Sequence, residues 1–147
     1  MSSGPSEAVI RAWTSLVKAA QLVLGAVEAD LKAEGFPPLG WYDVLLELSR
    51  DKVDGLRPFE LEERLLLAQY NLSRVLDRLV TAGLVERRPH PEDRRGQIVR
   101  ITAAGRDLVR RMWPAYRAAI ARHVGARLGE DEARDLAGLL DRLTAAV

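Results

Sequence analysis

The chain has 147 residues, of which 48% are hydrophobic and 29% charged, with a net charge of +1. That is enough apolar content for one packed domain or one subunit of a small oligomer, and too much for wholesale disorder. Cysteine is absent, which excludes disulfides, thiolate zinc sites, thiol catalysis and thiol redox sensing. His90 and His123 have no metal-ligand spacing, so no metal and no other cofactor is expected. No apolar run reaches the roughly 18 residues of a membrane helix, and the start, MSSGPSEAV, has no basic-then-apolar signal pattern. A cytoplasmic protein without a membrane partner is the expectation.

Taken in order, Ser6 to about Glu34 carries apolar residues at Val9, Trp13, Leu16, Ala20, Val23, Val27 and Leu31. This is close to a heptad stripe on one long helix. The stripe reads either as core packing or as a dimerisation face, since a small chain offers little partner surface for so long a helix. Gly35-Phe36-Pro37-Pro38 stops it. Leu39 to Arg50 is helical again, with Val44, Leu45 and Leu48 inward and Trp41 and Tyr42 at its start. After a polar link, Pro58 opens a third helix, with Glu60, Glu62 and Glu63 in its first turn and Leu61 and Leu65 inward.

From Leu72, apolar residues recur at Val75, Leu76, Leu79 and Val80, a core-facing stripe. The opposite side carries Tyr70, Arg74, Asp77, Arg78 and Thr81, with Asn71 and Ser73 at its margins. Gly83 is placed to end this helix in the left-handed conformation. Leu84–Arg88 and Gln97–Thr102 alternate as strands, with Pro89 and Pro91 bracketing His90 between them. Thr102 is a good N-cap for a helix from Ala103 to about Leu128. Its inward residues are Leu108, Met112, Tyr116 and Ile120, or the nearby Val109 and Ala119, and Pro114 predicts a kink. Gly129 separates a last helix, Asp131–Ala146, with Ala133, Leu136, Ala137, Leu140 and Leu143 on one face.

The predicted fold class is therefore mainly α with a small β-hairpin. A helix, a turn, a helix and then a hairpin make a winged helix-turn-helix outline, here flanked by long helices. Charge is distributed accordingly. Gln69 to Arg111 holds ten arginines against five carboxylates, and the rest of the chain is net acidic. That asymmetry points to a surface that meets a polyanion.

The pattern resembles the MarR family of winged-helix transcriptional regulators. The residues that carry it are Leu-Ser-Arg-Val-Leu-Asp-Arg-Leu-Val-Thr-Ala-Gly-Leu-Val-Glu-Arg (72–87), Pro-Glu-Asp-Arg-Arg-Gly (91–96) and Arg-Ile-Thr-Ala-Ala-Gly-Arg (100–106). The resemblance implies a homodimer on a near-palindromic double-stranded DNA site. Helices 6–34 and 103–147 would form the dimer and 39–102 the DNA-binding lobe, all within a single domain. The second helix of the motif would enter the major groove and the wing the flanking minor groove. Many relatives are repressors released by small aromatic effectors, and here Trp13, Trp41, Tyr42, Trp113 and Tyr116 are the candidate pocket residues, with ordinary packing as the alternative.

The recognition-helix candidates are Gln69, Tyr70, Asn71, Ser73, Arg74 and Arg78. Arg74 and Arg78, one turn apart, suit phosphate or the O6 and N7 of guanine. Asn71 suits adenine, and Ser73 a phosphate. The stretch before this helix, Leu65-Leu66-Leu67-Ala68, lacks the glycine and capping hydroxyl of many relatives; Asn71 is then available to cap a later start, turned away from a base. Asp77 either pairs with a neighbouring arginine or accepts from cytosine. In the wing, the candidates are Arg87, Arg88, His90, Asp93, Arg94 and Arg95. Arg94 and Arg95 suit a narrow minor groove, Asp93 would orient an arginine or close the loop, and His90 is either solvated or a phosphate contact. No phosphate-cradling glycine loop, paired nucleophile and base, or metal cluster marks an enzyme. The competing reading is a winged helix kept for binding another protein.

Overall fold

The computed structural model describes residues 3–50, 55–67, 71–93 and 96–146. The elements are α1 (Glu7–Ala33), α2 (Leu39–Arg50), α3 (Pro58–Arg64), α4 (Leu72–Thr81), β1 (Val85–Pro89), β2 (Gln97–Ile101), α5 (Ala103–Ile120), a π-helical turn (Ala121–Gly125) and α6 (Glu130–Ala145). They fall into two compact units: Leu31–Ala115, and the segment up to Asp30 with that from Tyr116 onward.

The unit Leu31–Ala115 is built on apolar spacing. Val44, Leu45 and Leu48 of α2, Leu61 of α3, Leu76 and Leu79 of α4, Val85 and Val99 of the hairpin and Leu108 and Met112 of α5 are buried. Each fully buried aliphatic side chain contributes about 1.5–3 kcal/mol relative to exposure. Val80, expected inward, is exposed. At 100° per residue it lies at the edge of a stripe already filled by Leu76 and Leu79. Strand β1 runs antiparallel to β2, from Val85↔Ile101 to Pro89↔Gln97, one residue later at its start and end than the alternation predicts. Pro89 is tolerated because it is the last residue of its strand. A bridge on the other edge of β2 pairs Leu56 with Val99 through N–H···O bonds of 2.9 and 2.8 Å.

Two glycines fix how α4, the hairpin and α5 join. Gly83 has φ +75°, which closes α4 as a Schellman motif: Gly83 N–H donates to Val80 O at 3.0 Å and Leu84 N–H to Leu79 O at 2.9 Å. Thr102 accepts from Gly105 N–H at 3.1 Å and donates its hydroxyl to Gly83 O at 2.7 Å. It therefore caps α5 and ties α5 to the end of α4. Gly105 lies so close to this junction that a Cβ there would overlap Leu84 O and Ile101 Cγ1. Gly105→Ala should lower unfolding stability by at least about 2 kcal/mol in urea titration, because backbone cannot yield to the added methyl. An unchanged midpoint would show that the junction is loose.

In the other unit, Ser6 Oγ accepts from Val9 N–H at 3.2 Å and starts α1. The α1 stripe is largely uncovered in the single chain: Val9, Ile10 and Trp13 are exposed, Trp13 at 64%. The same holds on α6 for Leu136, Leu139 and Leu143. Helix α5 ends at Ile120 rather than near Leu128. Ala126 N–H reaches Ala121 O at 2.8 Å, a bond one residue wider than the α pattern. Along α5 the covered positions are Leu108, Met112, Ala115 and Ala119, while Ile120 is exposed and Tyr116 half-buried. The π turn places Arg122 and His123 against Asp30, with Arg122 Nη1 at 2.6 Å and His123 Nε2 at 2.8 Å from Asp30 Oδ2. The hydrogen bond with His123, helped by the charge of Arg122, holds the Asp30 carboxyl below its ordinary 3.8. A depressed pKa stabilises the fold above the ordinary value and ceases to do so as pH falls through the folded one. Asp30→Asn should therefore flatten the acid limb of the stability profile below about pH 4. An unchanged acid limb would remove Asp30 from that account.

Candidate nucleic-acid interface

The outward face of α4 is the centre of the site. Its inward side is consumed by Leu76 and Leu79, so the helix presents Ser73, Arg74, Asp77, Arg78 and Thr81 to solvent. The guanidinium groups of Arg74 and Arg78 have no hydrogen-bond or ion-pair partner among the described residues. Two unpaired arginines one turn apart, on a helix whose back is fixed in the core, form a bidentate donor pair ready for phosphate or base edges.

Helix α4 takes the later start. Asn71 is its N-cap, and Asn71 Oδ1 accepts from Arg74 N–H at 3.2 Å. The oxygen that a bidentate adenine contact requires is committed to the cap, so the structure gives Asn71 a structural task. Gln69 and Tyr70 precede the cap and lie outside the described residues, as do the wing-tip residues Arg94 and Arg95.

The turn before α4 is held from a distance. Asp43, on α2 and only 6% exposed, accepts from Leu66 N–H at 3.2 Å through Oδ1 and from Leu67 N–H at 3.1 Å through Oδ2. One carboxylate thus takes two backbone donors that neither a glycine turn nor a local hydroxyl serves. Sequence reasoning did not assign Asp43 any role. The available signal was a carboxylate inside the apolar run Trp41-Tyr42-Asp43-Val44-Leu45-Leu46, where burial demands a hydrogen-bonding partner.

The wing base is tied to α4 by charge. Arg87 Nη2 lies 2.7 Å from Asp77 Oδ1, which takes the pairing alternative for Asp77. Arg87 Nε is buried and unpartnered among the described residues. The arginine is held by packing and one ion pair, and it faces the recognition helix as a strut. Arg88 pairs with Glu86 at 3.0 Å. His90 Nδ1 accepts from Glu92 N–H at 3.0 Å. Asp93 Oδ2 lies 3.9 Å from Arg57 Nη2 at the start of α3. Asp93 O also accepts from Gly96 N–H at 3.0 Å, closing the loop by its backbone.

The five candidate pocket aromatics are divided between the units, Trp13 and Tyr116 in one and Trp41, Tyr42 and Trp113 in the other. Tyr42 is buried in the α2 core and Trp113 is exposed on α5. Trp41 lines a cleft with Arg74, Asp77, Arg78, Thr81 and Ala82, so this tryptophan belongs to the face of α4. No group of three or more His, Asp or Glu side chains suited to a metal occurs among the described residues. No helix among them is long and apolar enough to cross a membrane.

A core-backed helix with a cationic outer face, preceded by a short helix and followed by a hairpin, defines a winged helix-turn-helix protein. Comparison with known proteins agrees. The family model described as MarR family matches residues 34–96. The multiple antibiotic resistance protein MarR of Escherichia coli is 46% identical over 50 residues, which is 34% of this chain and about a third, 35%, of that protein's length. A MarR family transcriptional regulator of Streptomyces coelicolor, solved in complex with DNA, superposes with a TM-score of 0.83 at 27% identity, over 99% of this chain and 90% of its own. Bordetella bronchiseptica BpsR, whose DNA binding is regulated by 6-hydroxynicotinic acid, shares the fold with a TM-score of 0.81 at 21% identity, over 96% of this chain and 98% of its own. Residues 34–96 thus match the MarR family, and nearly the whole chain shares the fold of a MarR family regulator.

Proposed function

We propose that the protein is a sequence-specific double-stranded DNA-binding transcriptional regulator that acts in the cytoplasm as a homodimer on a near-palindromic operator, as a repressor without catalytic activity. The observation that carries this reading is the pair of guanidiniums, Arg74 and Arg78, without a partner among the described residues, on the outer face of a helix whose other side is core. The likeness to a family member solved with DNA supports it. In this reading Arg74, Arg78 and Ser73 address the major groove and its phosphates, and Arg94 and Arg95 the minor groove. Arg87 and Asp93 hold the wing, and Arg88 and His90 meet phosphates beside it.

The exposed stripes of α1 and α6 support the homodimer. Val9, Ile10 and Trp13 on α1 and Leu136, Leu139 and Leu143 on α6 are exposed apolar side chains that a second copy would cover. On this reading, 6–34 and 103–147 are dimerisation helices and 39–102 the DNA-binding lobe. The shared fold with a protein regulated by 6-hydroxynicotinic acid favours a small aromatic effector. Binding to mixed genomic duplexes should weaken as salt rises, with a log–log slope of about −0.9 per phosphate neutralised. Salt-independent binding, or none, would favour a winged helix used for protein contacts.

A further inference from the structure

The cleft beside α4 has one wall that the recognition helix does not supply. Its lining is Trp41 from the first turns of α2, with Arg74, Asp77, Arg78, Thr81 and Ala82, around an open space of about 530 Å³. Trp41 is half-buried, with one part of its indole turned to the cleft. Among the described lining residues the only carboxylate is Asp77, which is engaged by Arg87 at 2.7 Å. The charge the cleft shows to a visitor is therefore that of Arg74 and Arg78, both unpartnered among the described residues. The surface is amphipathic: an indole, the Ala82 methyl and the Thr81 side chain, flanked by two guanidiniums.

We propose that this cleft seats one strand of the DNA backbone, with the Trp41 indole packed against a deoxyribose while Arg74 and Arg78 hold the phosphates on either side. The inference rests on the DNA-binding reading above. A nucleic-acid backbone is the polyanion that matches the pattern, since each phosphate alternates with an apolar sugar face. A base edge is flat and polar, and suits the arginines but not the indole. The cleft is open to solvent, so a strand can enter it. Trp41 then extends the recognition surface from α4 onto α2 and fixes the depth at which α4 sits in the groove. Because it touches sugar and not a base, it raises affinity evenly across sequences.

The test uses the full chain with Trp13→Phe and Trp113→Phe, which leaves Trp41 as the one indole. Titration with a duplex that the wild-type chain binds should shift the Trp41 emission to the blue and reduce its quenching by acrylamide several-fold. Trp41→Ala, and Trp41→Leu as the milder replacement, should weaken binding about tenfold, equally for specific and random duplexes, as expected from loss of a buried apolar contact. The slope of log affinity against log salt should stay at the wild-type value, because no phosphate contact is lost; Arg74→Ala should reduce that slope by about one. Unchanged Trp41 emission and quenching at saturating DNA would overturn the inference while leaving DNA binding intact. So would wild-type affinity in a folded Trp41→Leu protein, or loss confined to the specific duplex. If the wild-type chain binds no duplex, both the reading and the inference fall.

Discussion

Replacing Arg74 and Arg78 together by alanine should weaken specific duplex binding by at least about 30-fold, since each bidentate or phosphate contact is worth about 1–3 kcal/mol. Fold stability should not change. Both side chains are exposed, and neither guanidinium holds another residue among those described. The measurement is fluorescence anisotropy with a selected duplex at fixed salt, beside a thermal melt of the same samples. The single variants separate two roles. A phosphate contact loses affinity on every sequence, whereas a guanine contact loses it mainly on the duplex carrying that guanine. A double variant that binds within a few-fold of wild type would show that α4 is not the reading helix.

Asp43→Ala should be the most damaging single substitution in the unit Leu31–Ala115 that leaves every candidate DNA contact in place. The side chain is buried and receives Leu66 N–H and Leu67 N–H on its two oxygens. Hydrogen bonds to a charged acceptor contribute about 1.5–3 kcal/mol each, and two orphaned donors add to the loss. A net destabilisation of about 3–5 kcal/mol is expected, which is about 10 °C or more in melting temperature for a chain of this size. Asn at this position keeps one acceptor and should fall between. DNA affinity should drop even well below the melting temperature, because the carboxylate anchors Leu66 and Leu67 ahead of α4. An Asp43→Ala protein with wild-type melting and wild-type affinity would leave the turn with some other anchor.

The two substitutions also show what the amino-acid order makes legible. Helix α4 could be read because its signals are local: a 3.6-residue apolar period, Arg74 and Arg78 on the opposite face, and Gly83 where the left-handed residue belongs. The hairpin followed from alternation, and Thr102 from cap chemistry. The anchor of the α3–α4 turn could not be read that way. It comes from α2, 23 and 24 residues away in the chain, and a missing local cap says only that something else must serve those amides. The pairing of Asp77 with Arg87 depends on β1 lying beside α4, which local sequence does not specify. The placement of Trp41 beside Arg74 and Arg78 was not legible either, because consecutive residues on α2 point to different surroundings: Tyr42 into the core and Trp41 to the cleft. The stripes on α1 and α6 were legible as apolar faces, but a periodic pattern does not distinguish a core from an interface. Likewise the π turn at Ala121–Gly125 has no counterpart in hydrophobic spacing.

On the proposed function, the two arginines of α4 read duplex DNA as part of a symmetric pair. Selection of bound duplexes from a random pool, with sequencing of the retained fraction, addresses it most directly. The expected result is a near-palindrome whose half-sites lie about 10 bp apart, one turn of the double helix, and whose enrichment disappears for the Arg74→Ala, Arg78→Ala protein. A pool that stays random through repeated rounds, or a single asymmetric motif still enriched by the double variant, would contradict the account.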